Sequence, residues 1–228
     1  RDPGRMYAVV LAASTAAFAA LAAAVLFWEG ADRLDVRAVN WVQRTAPDVL
    51  VDVMTVVTYA GSAVLLGPLV ILAGLVFVWR GRPAAAIFVI AAFAGSQFLS
   101  QGLKALFQRG RPELEDPFVQ LTTYAFPSGH AFGSTATYGS LALVLGSVAL
   151  ARSTRVGFLV AASALVFVIA ASRVILGRHY TLDVLAGIAG GVALLSALLL
   201  VLDRSGLRFR LGLFPSGRQQ PQGTRVDT

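Results

Sequence analysis

An all-α bundle of six membrane-spanning helices is the fold class this chain predicts, on three observations. Hydrophobic residues make up 57% of the 228, and the mean hydropathy is +0.72, well above that of a water-soluble domain. Six apolar runs approach or reach the roughly 20 residues needed to cross a bilayer. Charge alternates between the connections. With the N-terminus inside, the inner segments hold eleven basic and three acidic residues, net +8; the outer ones hold eight and nine, net −1. The positive-inside rule then makes this a multi-pass protein of the cell membrane with both termini cytoplasmic. The same rule accounts for the overall +7 without a nucleic-acid partner. The absence of cysteine excludes disulfides, thiolate metal sites and a cysteine nucleophile.

The first run, Tyr7 to Trp28, follows Arg1 and Arg5. Its apolar core is too long for a signal peptide, and Trp28-Glu29 reads as an interfacial end, so it is taken as the first span. Charges at short spacing between Glu29 and Ala60 predict one or two amphipathic helices lying at the interface. Gly61 to Trp79 is the second span, with Pro68 as a start or kink. Arg80-Gly81-Arg82-Pro83 is a basic turn, and Ala84 to about Gly102 the third span. Leu103 to His130 is expected to be a long loop. Ala131 to Leu150 is the fourth span, rich in small residues that allow close packing. Arg152 to Arg155 is a short turn, and Val156 to Ala171 the fifth span. Val184 to Leu202 is the sixth, with Gly187, Gly190 and Gly191 suggesting another close-packed face. Residues 1–203 thus form a single domain. Residues 204–228, rich in Arg, Gly, Pro and Gln, are expected to be a disordered cytoplasmic tail.

Three polar clusters fall on the outer side of this plan. One is Lys104 with Arg111-Pro112, the second is Pro127-Ser128-Gly129-His130, and the third is the stretch Ser172 to Asp183. Both histidines of the chain, His130 and His179, lie in them. Charges at a membrane edge are expensive and usually functional. Together the clusters supply three cations, two imidazoles, a hydroxyl, a glycine and a carboxylate, a set suited to phosphoryl transfer. Lys104, Arg111 and Arg173 can neutralise the equatorial oxygens, and Ser128 can donate its hydroxyl. The Gly129 N–H can approach an oxygen closely at a helix N-terminus that favours anions. One histidine would attack phosphorus while the other protonates the leaving oxygen. His179 and Asp183 are four apart, so on a helix they share a face, and the carboxylate could hold one imidazole nitrogen while the other attacks.

Lys104 with Arg111-Pro112, then Pro127 to His130, then Arg173, His179 and Asp183, resemble the three-part signature of the type 2 phosphatidic acid phosphatase (PAP2) superfamily. No element is missing, and the signature spans Lys104 to Asp183. The resemblance implies a membrane-bound lipid phosphatase working through a phosphohistidine. It implies His179 as nucleophile, Asp183 as its orienting partner, and His130 as general acid and then base. Lys104, Arg111, Ser128, Gly129 and Arg173 would bind phosphoryl oxygens, with no metal or other cofactor. The substrate would be a lipid phosphate or pyrophosphate: polyprenyl pyrophosphate, phosphatidylglycerophosphate or phosphatidate.

Blander readings stand beside these. Lys104 and Arg111 could be snorkelling interfacial residues, Ser128 a helix cap, and His130 a helix-end histidine. Arg109 and Arg178, beside motif positions, are read as solvated loop charges or headgroup contacts. Glu113, Glu115 and Asp116 are read as a solvated loop group rather than a divalent-ion site. Tyr124 and Tyr180 suit either the pocket or an aromatic belt. Pro215-Ser216-Gly217 repeats the second cluster's opening, with Arg218 where a histidine is needed. Among other functions, a phosphotransferase passing the group to a lipid or sugar acceptor would use the same site. A vanadate-dependent haloperoxidase shares the anion site but is soluble, and a non-enzymatic lipid binder would leave the two histidines unexplained. Oligomeric state is not encoded in any of these features.

Overall fold

The computed structural model describes residues 2–112, 123–149 and 151–205, and all regular structure among them is helical. The order is α1 (Pro3–Phe27), α2 (Glu29–Thr45), α3 (Asp48–Val57), a 3-10 turn (Thr58–Gly61), α4 (Ala63–Trp79), α5 (Pro83–Phe107), α6 (Gly129–Val148), α7 (Arg152–Ile175) and α8 (Thr181–Arg204). Helices α1, α5, α6, α7 and α8 are long and apolar enough to cross a membrane. The sixth apolar run is α4, whose 17 residues join the α3 segment across a bend of 45°. Between α1 and α4 lie α2 and α3, of which α3 belongs to this bent pair; the charge spacing of Glu29 to Ala60 anticipates one or two helices there.

Several boundaries differ from expectation in one direction. Helix α5 continues past Gly102 to Phe107, so Lys104 stands on its last turn and not in a loop. Helix α7 runs from Arg152 to Ile175, absorbing both the expected basic turn and Arg173. Helix α8 begins at Thr181, which puts Asp183 in its first turn. Polar residues at these ends satisfy first- and last-turn groups, so the helices outlast their apolar runs. Pro68 lies inside α4. Glu113, Glu115, Asp116 and the tail beyond residue 205 lie outside the described residues.

Helix α6 is the centre of the bundle, packed by α5, α7 and α8, while α1 lies along α8 and α4 along α5. In lipid, helices associate through close packing of small residues more than through water exclusion. The expected α8 glycine face is one such seam. A Cβ at Gly187 would stand 2.6 Å from the Ser128 carbonyl oxygen and 3.1 Å from the Phe132 nitrogen, so α8 meets the main chain of α6 there. Gly190 abuts the Phe132 ring and Gly191 abuts Thr135. One end of the bundle is tied by Arg82 to Ser147, 3.0 Å, where α5 begins and α6 ends. At the other end the C-termini of α5 and α7 meet the N-termini of α6 and α8, and every polar cluster named above lies there.

Replacing Gly187 by Ala forces backbone apart at this seam. The variant should lose about 1–3 kcal/mol of stability, read as a lower thermal midpoint in detergent, whereas Gly157→Ala, with open space at its Cβ position, should not.

Candidate active site

Local chain signals aim each side chain of the site. Helix α7 ends at Gly177, whose φ of +62° suits glycine. The Gly177 N–H reaches the Val174 carbonyl and the Arg178 N–H the Arg173 carbonyl, both at 2.9 Å, a Schellman closure. The His179 N–H shares that Arg173 carbonyl at 3.2 Å, so the turn that ends α7 fixes His179 against the residue carrying Arg173. Two residues on, α8 opens with a capping box in which the Tyr180 N–H donates to Asp183 Oδ2 at 2.9 Å. Ser128 caps α6 through its hydroxyl, and its own N–H donates to the Asp183 carbonyl at 2.9 Å. One main-chain bond therefore joins the His130 segment to the His179 segment.

His179 is 2% exposed and Asp183 fully buried. The His179 Nδ1 lies 3.5 Å from Asp183 Oδ2, and no hydrogen bond closes that gap. The two do not share a helical face as their spacing suggests, because His179 precedes α8; the capping turn brings them together instead. At the other ring edge, Arg111 Nη1 approaches Nε2 at 3.4 Å. A hydrogen bond with the Ala125 main chain also holds the ring. Burial first, then the charges of Arg111, Arg173 and Lys104, hold the imidazole well below its ordinary value of 6.5.

The same three cations lie within electrostatic reach of His130, as does His179. The His130 ring packs against Gly61, where a Cβ would stand 3.3 Å from the ring Cδ2. Arg173 donates through Nη1 to Thr58 Oγ1 at 2.7 Å, and its buried Nε meets no acceptor. Thus the bend between α3 and α4 backs both His130 and Arg173. Lys104 is buried, and its Nζ donates to the Tyr124 carbonyl. Arg111 is spread over main-chain acceptors, with Nη1 to the Arg178 carbonyl and Nε to the Thr123 carbonyl, each at 2.6 Å. Gly129 is the first residue of α6, beside Ser100 and Lys104. All eight site residues expected from the sequence, Lys104, Arg111, Ser128, Gly129, His130, Arg173, His179 and Asp183, thus gather at one end of the bundle. Among the described residues no group of three or more His, Cys, Asp and Glu side chains has metal-site geometry.

Arg109 corrects the expectation of a solvated loop charge. Its side chain is 8% exposed and bridges Asp183 Oδ1 at 2.6 Å, Asp35 Oδ2 at 3.0 Å, and Asp32. Its guanidinium stands 4.4 Å over the Tyr180 ring, so Tyr180 belongs to the site, whereas the Tyr124 side chain is exposed. Sequence reasoning missed Asp35 altogether. It is 4% exposed on α2, and burial pushes its carboxyl above the usual range while Arg109 opposes this. The available signal was the series Ala31, Asp35, Val39, which puts an acid on the apolar stripe of an amphipathic helix.

Paired imidazoles among convergent cations, at the end of a membrane bundle, define a membrane phosphatase. A family model of the PAP2 superfamily matches residues 85–206, just over half the chain, and the chain belongs to that superfamily. It is 29% identical over 161 residues to phosphatidylglycerophosphatase B of Bacillus subtilis, covering 70% of this chain and 78% of that protein. The crystal structure of a transmembrane PAP2-type phosphatidylglycerolphosphate phosphatase from Bacillus subtilis superposes with a TM-score of 0.79 at 25% identity, over 88% of this chain and 98% of that one. LpxE of Aquifex aeolicus shares the fold at a TM-score of 0.54 and 24% identity, over 73% and 94% of the two chains.

A neutral buried His179 makes stability depend on pH. The unfolded imidazole takes up a proton below about pH 6.5 while the folded one does not, so the unfolded state binds more protons there and stability falls with pH. The thermal midpoint should drop on acidification through that value, and His179→Gln should flatten the drop.

Proposed function

We propose that this membrane phosphatase hydrolyses a lipid phosphate through a phosphohistidine formed on His179, at the outer face of the membrane. The observation that carries the reading is the placement of both imidazoles among the same three cations, with His179 Nε2 facing Arg111 at 3.4 Å and Asp183 at its back. Nε2 attacks phosphorus as the bond to the lipid oxygen breaks. The bound phosphate dianion offsets the cations around His130, so that in the substrate complex its ring carries a proton, which it gives to that oxygen as the lipid alcohol leaves. His130 then takes a proton from water, which attacks phosphorus, breaks the P–N bond and releases phosphate. As Nε2 bonds to phosphorus the ring becomes cationic. The Nδ1 to Asp183 contact would then shorten into a charge-assisted bond, as catalytic contacts often do only with substrate present.

Lys104, Arg111, Arg173, the Ser128 hydroxyl and the first N–H groups of α6 hold the equatorial oxygens. These donors are fixed before substrate arrives: Ser128 is fully buried and Arg111 is pinned to carbonyls. Preorganised donors of this kind need little rearrangement in the transition state. The Bacillus subtilis sequence and crystal structure are both named for phosphatidylglycerophosphate, which favours that lipid over polyprenyl pyrophosphate and phosphatidate. The outer placement rests on the charge bias of the connections.

Phosphate release from phosphatidylglycerophosphate in mixed micelles tests the reading. His179→Ala and His130→Ala should abolish release; wild-type turnover by His179→Ala would sink the assignment. Lys104→Ala should lower kcat about 100- to 1,000-fold. Orthovanadate, which adopts the five-coordinate geometry, should inhibit, and turnover should survive a chelator.

A further inference from the structure

We infer that Arg109 and Asp35 are positioning residues that lock Asp183, and with it His179, to the interfacial helix α2. The inference rests on the reading of His179 and Asp183 given above. Asp183 is fully buried, and each of its oxygens has a fixed partner. Oδ2 accepts from the Tyr180 N–H at 2.9 Å and faces His179. Oδ1 accepts from Arg109 Nη1 at 2.6 Å. The other arm of the same guanidinium, Nη2, holds Asp35 Oδ2 at 3.0 Å. Asp35 closes the ring, because its Oδ1 accepts from the Leu182 N–H at 3.3 Å, one residue before Asp183.

Helix α2 thus grips the first turn of α8 twice, once through main chain and once through Arg109. A planar fork suits this, since its two arms reach two carboxylates along fixed directions. The Tyr180 ring, 4.4 Å from the guanidinium carbon, backs the fork. Asp183 can therefore neither rotate away from His179 nor lose its charge partner.

A plain structural tether would predict something different. If Arg109 only fastened α2 to the bundle, its loss would lower stability and multiply with any defect at Asp183. If it acts through Asp183, its loss has no further effect once Asp183 is neutral. The test measures kcat, KM and thermal midpoint for wild type, Asp183→Asn, Arg109→Gln, Asp35→Asn and the doubles with Asp183→Asn, using a short-chain lipid phosphate in micelles. Arg109→Gln should lower kcat about 10- to 100-fold with KM nearly unchanged, the range found for residues that orient a reacting group. Asp35→Asn, which keeps an acceptor for Leu182, should lower kcat about 3- to 10-fold. Each double should match Asp183→Asn alone. Wild-type kcat in either single variant, or losses that multiply in the doubles, would overturn the inference. Should Arg109→Gln not fold, Asp35→Asn and its double decide the matter. Wild-type kcat in Asp183→Asn would instead remove the mechanism on which the inference stands.

Discussion

A carboxylate with no exposure to water needs a reason to keep its charge, and much of this site serves that end. Asp183 is surrounded by donors: the Arg109 guanidinium on one oxygen, the Tyr180 N–H on the other, and the His179 imidazole beyond. Breaking a buried ion pair by removing one partner is strongly destabilising, about 3–5 kcal/mol. The bundle end is therefore specified by charge satisfaction as much as by packing. Arg109 draws α2 onto the bundle, and the Asp183 carbonyl draws in Ser128 and the start of α6.

The rest of the site is made from helix ends, which supply unsatisfied main-chain groups and fixed directions. The last turn of α5 presents Lys104, the first turn of α6 presents Ser128, Gly129 and His130, the last turn of α7 presents Arg173, and the first turn of α8 presents Asp183. Buried apolar residues form three clusters, one of them beside this polar end. Phe18, Phe107 and Phe126, from α1, α5 and the connecting loop, form a cluster with centroids 4.9–6.4 Å apart, Phe107 standing edge-to-face to the other two. It places an apolar layer against the loop that carries the cis bond between Phe126 and Pro127.

Much of this was legible in the sequence, for identifiable reasons. Apolar runs and their charged punctuation report membrane crossings directly, so the long apolar helices followed, as did further helical structure between α1 and α4. The eight site residues were legible because their types are costly at a membrane edge and their spacing matches a family signature. What escaped was long-range pairing. Nothing local to Arg109 says that it is buried, because its acceptors lie on α2 and α8, more than seventy positions away in either direction. Helix ends were set too short because hydropathy fades before hydrogen bonding does: Lys104, Arg173 and Asp183 are all helical yet not apolar. The expected helical face shared by His179 and Asp183 had the right partners and the wrong geometry, since a capping turn also brings residues four apart into contact.

The bond from the Ser128 N–H to the Asp183 carbonyl, with Gly187 pressed against the Ser128 carbonyl, has a bearing on how such a protein can drift. The two histidine-bearing segments are joined at this seam by main chain, beside the side-chain caps that fix each of them. Substitutions elsewhere in the surrounding helices leave that main-chain contact intact, so headgroup and tail preferences can diverge there while position 187 stays confined to glycine.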